Sequence, residues 1–181
     1  MSAGHGHIDP SNKKIALQIA VLALVLAFSE TLGKAAQTNA LSLNIEASNL
    51  WAFFQAKTVR QTVLRTAAEQ TALAAQNDET KKQIEAWRKT AQRYQTEPET
   101  GEGRDELMAR AKEAEKKRDR AMAAYHQYEL ASGAVQIAIV LASAAIVTGA
   151  MVLAWIGAGL GVVGVAFCLI GFFAPTAVHI F

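Results

Sequence analysis

The chain is 181 residues long, 51% hydrophobic and formally +2, yet its mean hydropathy is only +0.14. Leu130 to Phe181 is a run of 52 residues without Lys, Arg, Asp or Glu, and Ile15 to Leu32 carries Glu30 alone. Apart from Asp9, Lys13 and Lys14, the other charges, 16 basic and 14 acidic, crowd between Gly33 and Glu129, a partition that excludes an ordinary soluble domain and an extended disordered chain.

The N-terminal stretch 1–14 reads as a flexible tail. Its His5, His7 and Asp9 offer at most a weak metal contact, because two imidazoles without a fixed third ligand are not a strong zinc site. Residues 15–33 read as the first transmembrane helix. The apolar run Ile15 to Leu32 is about 27 Å of helix, at the lower edge of what crosses a bilayer core. Lys13 and Lys14 precede it and Lys34 follows. A cleaved signal peptide is the competing reading, with Gly33 and Ala35 as small residues near the end, but the run is longer than a usual signal core. Ala16, Ala20, Ala23 and Ala27 recur at spacings of four, three and four and form a small-residue face suited to close helix packing in lipid. Glu30 and Lys34 stand in the favourable acid-to-base order for an interfacial pair.

Residues 34–131 read as an extramembrane helical hairpin. No Gly or Pro occurs from Lys34 to Gln95, which favours long helix even though the many Thr residues weaken propensity. The linker Thr96–Gly103, with one Pro and two Gly, is the turn. Ile84, Trp87, Ala91 and Tyr94 before it, and Leu107, Ala111, Ala114, Arg118, Ala121, Tyr125 and Tyr128 after it, form heptad-like seams expected to face each other as an antiparallel coiled coil. The arms differ in length: 35–95 is about 90 Å of helix and 104–131 about 42 Å. The first arm must therefore bend, either early at Asn39, Asn44 or Ser48-Asn49, or late at Asn77-Asp78. Leu50, Trp51 and Phe54 cluster on one side of it; a helical core, a subunit contact and the lipid interface are all open to them.

Residues 132–181 read as a transmembrane hairpin. The simplest division places one span from about Ala134 to Trp155, a turn at Gly157–Gly159 and a second span from Leu160. The alternative keeps Gly157 and Gly161 inside one helix as a GxxxG packing motif. Pro175 should disturb the last turns, and Cys168 reads as a buried structural thiol. The fold class expected is thus an all-α membrane protein of three transmembrane helices, with a long helical hairpin inserted between the first and second. Lys112, Lys116, Lys117, Arg118 and Arg120 flank the second span and by the positive-inside rule favour a cytoplasmic central domain; Lys13 and Lys14 against Lys34 at the first span argue the other way, by a difference of one.

The runs NKKIALQIAVLALVLAFSETLGKAAQTNAL and NIEASNLWAFFQAKTVRQTVLRTAAE, and within them Asn44, Glu46, Ala47, Ser48, Trp51, Phe53, Gln55, Ala56, Lys57, Arg60 and Gln61, resemble a bacterial membrane family known as domain of unknown function 4337. The resemblance spans most of the chain. It implies one N-terminal membrane helix, a charged helical region, hydrophobic C-terminal helices and a multi-pass protein of the bacterial inner membrane. It brings no catalytic assignment.

No phosphate loop, HExxH, CxxC or nucleophile elbow occurs. No catalytic residue, cofactor or metal is expected, and Lys57 and Gln61 read as structural hydrogen-bonding partners. The near-balanced charge gives no field for nucleic acid. The expectation is a non-enzymatic membrane scaffold or accessory subunit, embedded in lipid and associating with itself or a larger membrane complex. Its candidate contacts are Ala16, Ala20, Ala23, Ala27, Leu50, Trp51, Phe54, Gly157 and Gly161. An oligomeric channel or transporter-like protein is the alternative, although Gln136, Ser143 and Thr148 are few for a pore lining.

Overall fold

The computed structural model describes residues 10–74 and 77–178; His5, His7, Asp9 and His179 lie outside them. The described residues form four helices and no strand: α1 (Pro10–Ala74), α2 (Asp78–Gln95), α3 (Arg104–Thr148) and α4 (Met151–Phe173). Helix α1 starts at Pro10, within the stretch read as a tail; proline suits a first helical position because its missing N–H has no partner there anyway. Three of the four helices, α1, α3 and α4, are long and apolar enough to cross a membrane. The chain divides into two compact units. One holds the residues up to Ala40 with those from Asp119 onward; the other is Leu41–Arg118. Both α1 and α3 contribute residues to each.

The length mismatch resolves without an early break in α1. Asn39, Asn44, Ser48 and Asn49 are exposed inside α1, which continues helical past all of them to Ala74. The late break holds. Asn77 caps α2, its Oδ1 accepting from the Thr80 N–H at 2.7 Å and the Thr80 hydroxyl at 2.6 Å. From Leu41 to Ala74, α1 offers about 51 Å of length; α2 supplies about 27 Å and α3 as far as Arg118 about 22 Å. The two lie along α1 one after the other and antiparallel to it: Gln61 of α1 reaches Ala91 and Gln95 on α2, while Trp51 and Asn44 of α1 meet Glu115 and Arg118 on α3. The seams on α2 and α3 were expected to face each other. Each packs on α1 instead, because two helices joined end to end present their stripes side by side to one long partner. Threonines are accommodated by back-bonding: Thr58 and Thr62 donate to carbonyls four residues earlier at 2.8 and 2.9 Å.

In the unit that joins the residues up to Ala40 with those from Asp119 onward, α1 buries Ile15, Leu22, Ser29, Gly33 and Ala40 at spacings of seven, seven, four and seven, a heptad-like stripe. Helix α3 runs antiparallel to α1 and α4 parallel to it. The cores are two small clusters, Ile15 with Ala142, Ala145 and Ala154, and Leu22 with Val135 and Ala138. The reversal between α3 and α4 corrects the sequence expectation. It falls at Gly149-Ala150, not at Gly157–Gly159. Gly149 takes φ 71°, where a Cβ is strained, and its N–H donates to the Ala145 carbonyl at 2.9 Å. Helix α4 ends at Phe173, ahead of Pro175, as the restriction on the residue before proline requires.

Candidate functional site

The Leu41–Arg118 unit is organised around a buried polar junction. Its apolar floor is Ala47, Leu50, Leu107, Ala111 and Ala114, with Trp51, Phe53 and Phe54 packed against it. Burying Leu107 completely stabilises by about 1.5–3 kcal/mol relative to exposure. Leu50, Trp51 and Phe54 thus fill a core within the chain. Trp51 meets Phe54 edge to face at 5.4 Å and donates from Nε1 to Glu115 Oε1 at 2.9 Å, which satisfies the one polar atom of the indole.

One turn further along α1, Lys57 is only 6% exposed. Its ammonium lies 3.4 Å from Glu97 and 3.9 Å from Glu102, both in the linker, and 5.4 and 5.0 Å from the Phe53 and Tyr94 ring centroids. The carboxylates supply opposite charge and the rings a cation–π surround, which together offset the loss of water. Gln61, 2% exposed, follows on the same face. Its Nε2 donates to the Ala91 carbonyl at 2.9 Å and to Gln95 Oε1 at 3.1 Å, and its Oε1 accepts from Arg104 Nη1. The Arg104 guanidinium also lies 5.0 Å from the Phe54 ring, and its Nε is buried without a partner. Two neighbouring residues of α1 therefore tie down the end of α2, the linker and the start of α3.

The linker closes on itself through Glu106. Its carboxylate accepts from the Thr96 hydroxyl at 2.8 Å and the Glu97 N–H at 3.3 Å. The Thr96 hydrogen bond, then those from the Glu106 and Glu97 backbones, hold this carboxyl below its ordinary value of 4.5. Gly103 sits so close to the Glu106 carboxylate and the Glu97 backbone that a Cβ has no room.

In the other unit, the glycines of α4 mediate helix contact. A Cβ on Gly157 would lie 2.8 Å from the Ala138 carbonyl oxygen, and one on Gly161 2.5 Å from Leu22 Cδ2. Both residues are buried inside α4, as the GxxxG reading of this segment holds. Polar side chains are spent on the same contacts. Gln18 Nε2 donates to the Ala154 carbonyl at 3.1 Å. Ser29 Oγ donates to the Val25 carbonyl at 2.9 Å and stands 2.9 Å from Cys168 Sγ; with its one proton committed, Ser29 accepts from the thiol. Glu30 accepts from Gln136 Nε2 at 3.3 Å. Ala16, Ala20, Ala23 and Ala27 take no part: all four are exposed, turned away from the chain's own helices.

Sequence reasoning paired Lys57 with Gln61 but missed Glu97, Gln95 and Arg104 as their partners. The available signal was a buried-side lysine and glutamine one turn apart on a helix rich in apolar residues; nothing local pointed to a linker some 40 residues on. Among the described residues no group of three His, Cys, Asp or Glu side chains is placed to hold a metal ion. The family model described as Domain of unknown function (DUF4337) matches residues 11–174. No curated protein and no solved structure matches the chain.

Proposed function

The chain belongs to the DUF4337 family, and on that footing we propose that it is a multi-pass membrane protein acting as a non-enzymatic scaffold or accessory subunit. In this reading α1, α3 and α4 each cross the bilayer once, and Leu41–Arg118 stands outside it in the bacterial cytoplasm. The observation that carries the proposal is what the three-helix unit leaves uncovered. Leu17, Val21, Leu24, Ile137, Val140 and Phe172 are all more than half exposed and apolar, whereas Ser29 is fully buried and Gln18 half-buried, each hydrogen-bonded to a backbone carbonyl. That is the inverse of a water-soluble surface and suits a hydrocarbon solvent.

Association is the second element. The exposed Ala16, Ala20, Ala23 and Ala27 face is flat enough for another helix to approach closely, and in lipid such contact is driven by van der Waals packing. Native mass measurement after gentle extraction tests it. The expected result is an oligomer or a complex with another membrane protein, shifted toward monomer by Ala20→Leu together with Ala23→Leu. A homogeneous monomer, or an assembly indifferent to both substitutions, would refute the scaffold reading.

A further inference from the structure

Between α1 and α4 runs an open groove made of two contiguous cavities of about 440 and 500 Å³, which share Lys14, Gln18 and Ala158. Its walls are Leu17, Val21 and Val25 from α1 and Val162 and Val165 from α4. The furrow exists because α4 presents small residues here: Gly161 lets Leu22 seat against the helix, and Ala158 is too short to fill the space beside it. The groove is mostly apolar, with Gln18 as the polar side chain that both cavities share, and it is basic at one end, where the exposed Lys14 stands near Met151 and Trp155. Trp155 is 75% exposed, and an exposed indole beside a lysine marks the headgroup level of a bilayer.

We infer that this groove binds an anionic phospholipid, one acyl chain lying between α1 and α4 and the phosphate meeting Lys14. This rests on the membrane reading above. Length distinguishes the occupant: from Lys14 to Val25 is about 16 Å of helix, close to half of the roughly 30 Å hydrocarbon core. A partner helix would run the full thickness, whereas one acyl chain ends at the midplane. Charge distinguishes it too. A cationic rim above an apolar furrow complements an anionic amphiphile and offers less to a zwitterionic one, whose own ammonium competes with Lys14 for the phosphate.

The test uses the full-length protein, extracted in detergent and offered phosphatidylglycerol or phosphatidylcholine, with bound lipid read by native mass spectrometry. Wild type should retain phosphatidylglycerol about fivefold more than phosphatidylcholine, the factor expected for one basic residue near anionic lipid. Lys14→Gln, a change at an exposed side chain, should bring the ratio to about one. Ala158→Phe, which fills the furrow, should lower retention of both lipids while far-UV circular dichroism stays unchanged. Equal retention by wild type, a preference that survives Lys14→Gln, or undiminished binding by a folded Ala158→Phe protein would each overturn the site. An alkaline wash of the membranes separates this from the reading beneath it. Wild type released by the wash contradicts membrane integration itself; wild type that stays in the membrane without lipid preference contradicts the groove alone.

Discussion

Glu97→Gln should destabilise the Leu41–Arg118 unit more than Lys57→Met, although both remove the same ion pair. At 3.4 Å and an effective dielectric of 20, the gross attraction between the two charges is about 5 kcal/mol. Desolvation of a lysine that is 93% buried offsets most of it, so the pair nets little. Glu97→Gln leaves that lysine charged with only Glu102 at 3.9 Å and the Phe53 and Tyr94 rings beside it. Stranding a buried partner typically costs 3–5 kcal/mol; the remaining carboxylate and rings reduce this to about 1–2 kcal/mol. Lys57→Met keeps the apolar stem and removes the charge. Glu97, about a fifth exposed, keeps Arg93 at 3.5 Å, so the change should cost below about 1 kcal/mol. Hydrogen exchange on peptides from 78–118 of the full-length protein reads both effects as lowered protection, and the double variant should resemble Lys57→Met. A Lys57→Met protein less protected than Glu97→Gln would show that the pair is net favourable and refute the desolvation argument.

Gly157→Val should lower stability in detergent by about 1–3 kcal/mol, because its Cβ meets the backbone carbonyl of Ala138, which moves only if α3 and α4 separate. Gly159→Ala, with nothing within 4 Å of the added Cβ, should be neutral or stabilising by up to about 1 kcal/mol; thermal unfolding of the pair checks both. Trp51→Phe should cost about 1–2 kcal/mol through loss of the hydrogen bond to Glu115, read as faster exchange in the 104–118 segment. Glu106 makes linker closure pH-dependent. Thr96 holds its carboxyl below 4.5 in the folded protein, so its contribution is present above the unfolded value and fades as pH falls through the lower folded one. The difference in thermal unfolding between wild type and Glu106→Gln should therefore shrink as the medium is acidified from neutrality below pH 4.5.

Periodicity and composition made the helical elements legible, since the helices repeat on heptads that survive in the structure. Asn77-Asp78 was readable as a candidate late break because asparagine and aspartate favour caps over helix interiors, but it stood beside Asn39, Asn44 and Ser48-Asn49, and only the Asn77 cap on the Thr80 N–H separates them. The turn at Gly149 was not. In the charge-free segment a glycine that reverses the chain and a glycine that admits a neighbouring helix look alike. Only the positive φ of Gly149 and the crowded faces of Gly157 and Gly161 separate them. Asn44 misled for a related reason: asparagine disfavours helix locally, but here it lies on an exposed face with its side chain bonded to Arg118 at 3.3 Å. The polar junction was half visible, through Lys57 and Gln61. Its other half depends on Arg104, 43 residues from Gln61, and long-range pairing leaves no periodic trace. Of the candidate contacts, Leu50, Trp51, Phe54, Gly157 and Gly161 sit in contacts within the chain, and the alanine face alone remains open to a partner.

Sidedness tests the membrane account most directly. In a Cys168→Ala background, single cysteines replace Lys13, Leu73, Ala150 and Thr176, and a membrane-impermeant maleimide is added to intact spheroplasts. Three alternating crossings with a cytoplasmic Leu41–Arg118 unit require labelling at 13 and 150 from outside, and at 73 and 176 only after permeabilisation. The reverse pattern would overturn the orientation, and labelling of all four positions from one side would contradict the three-crossing arrangement.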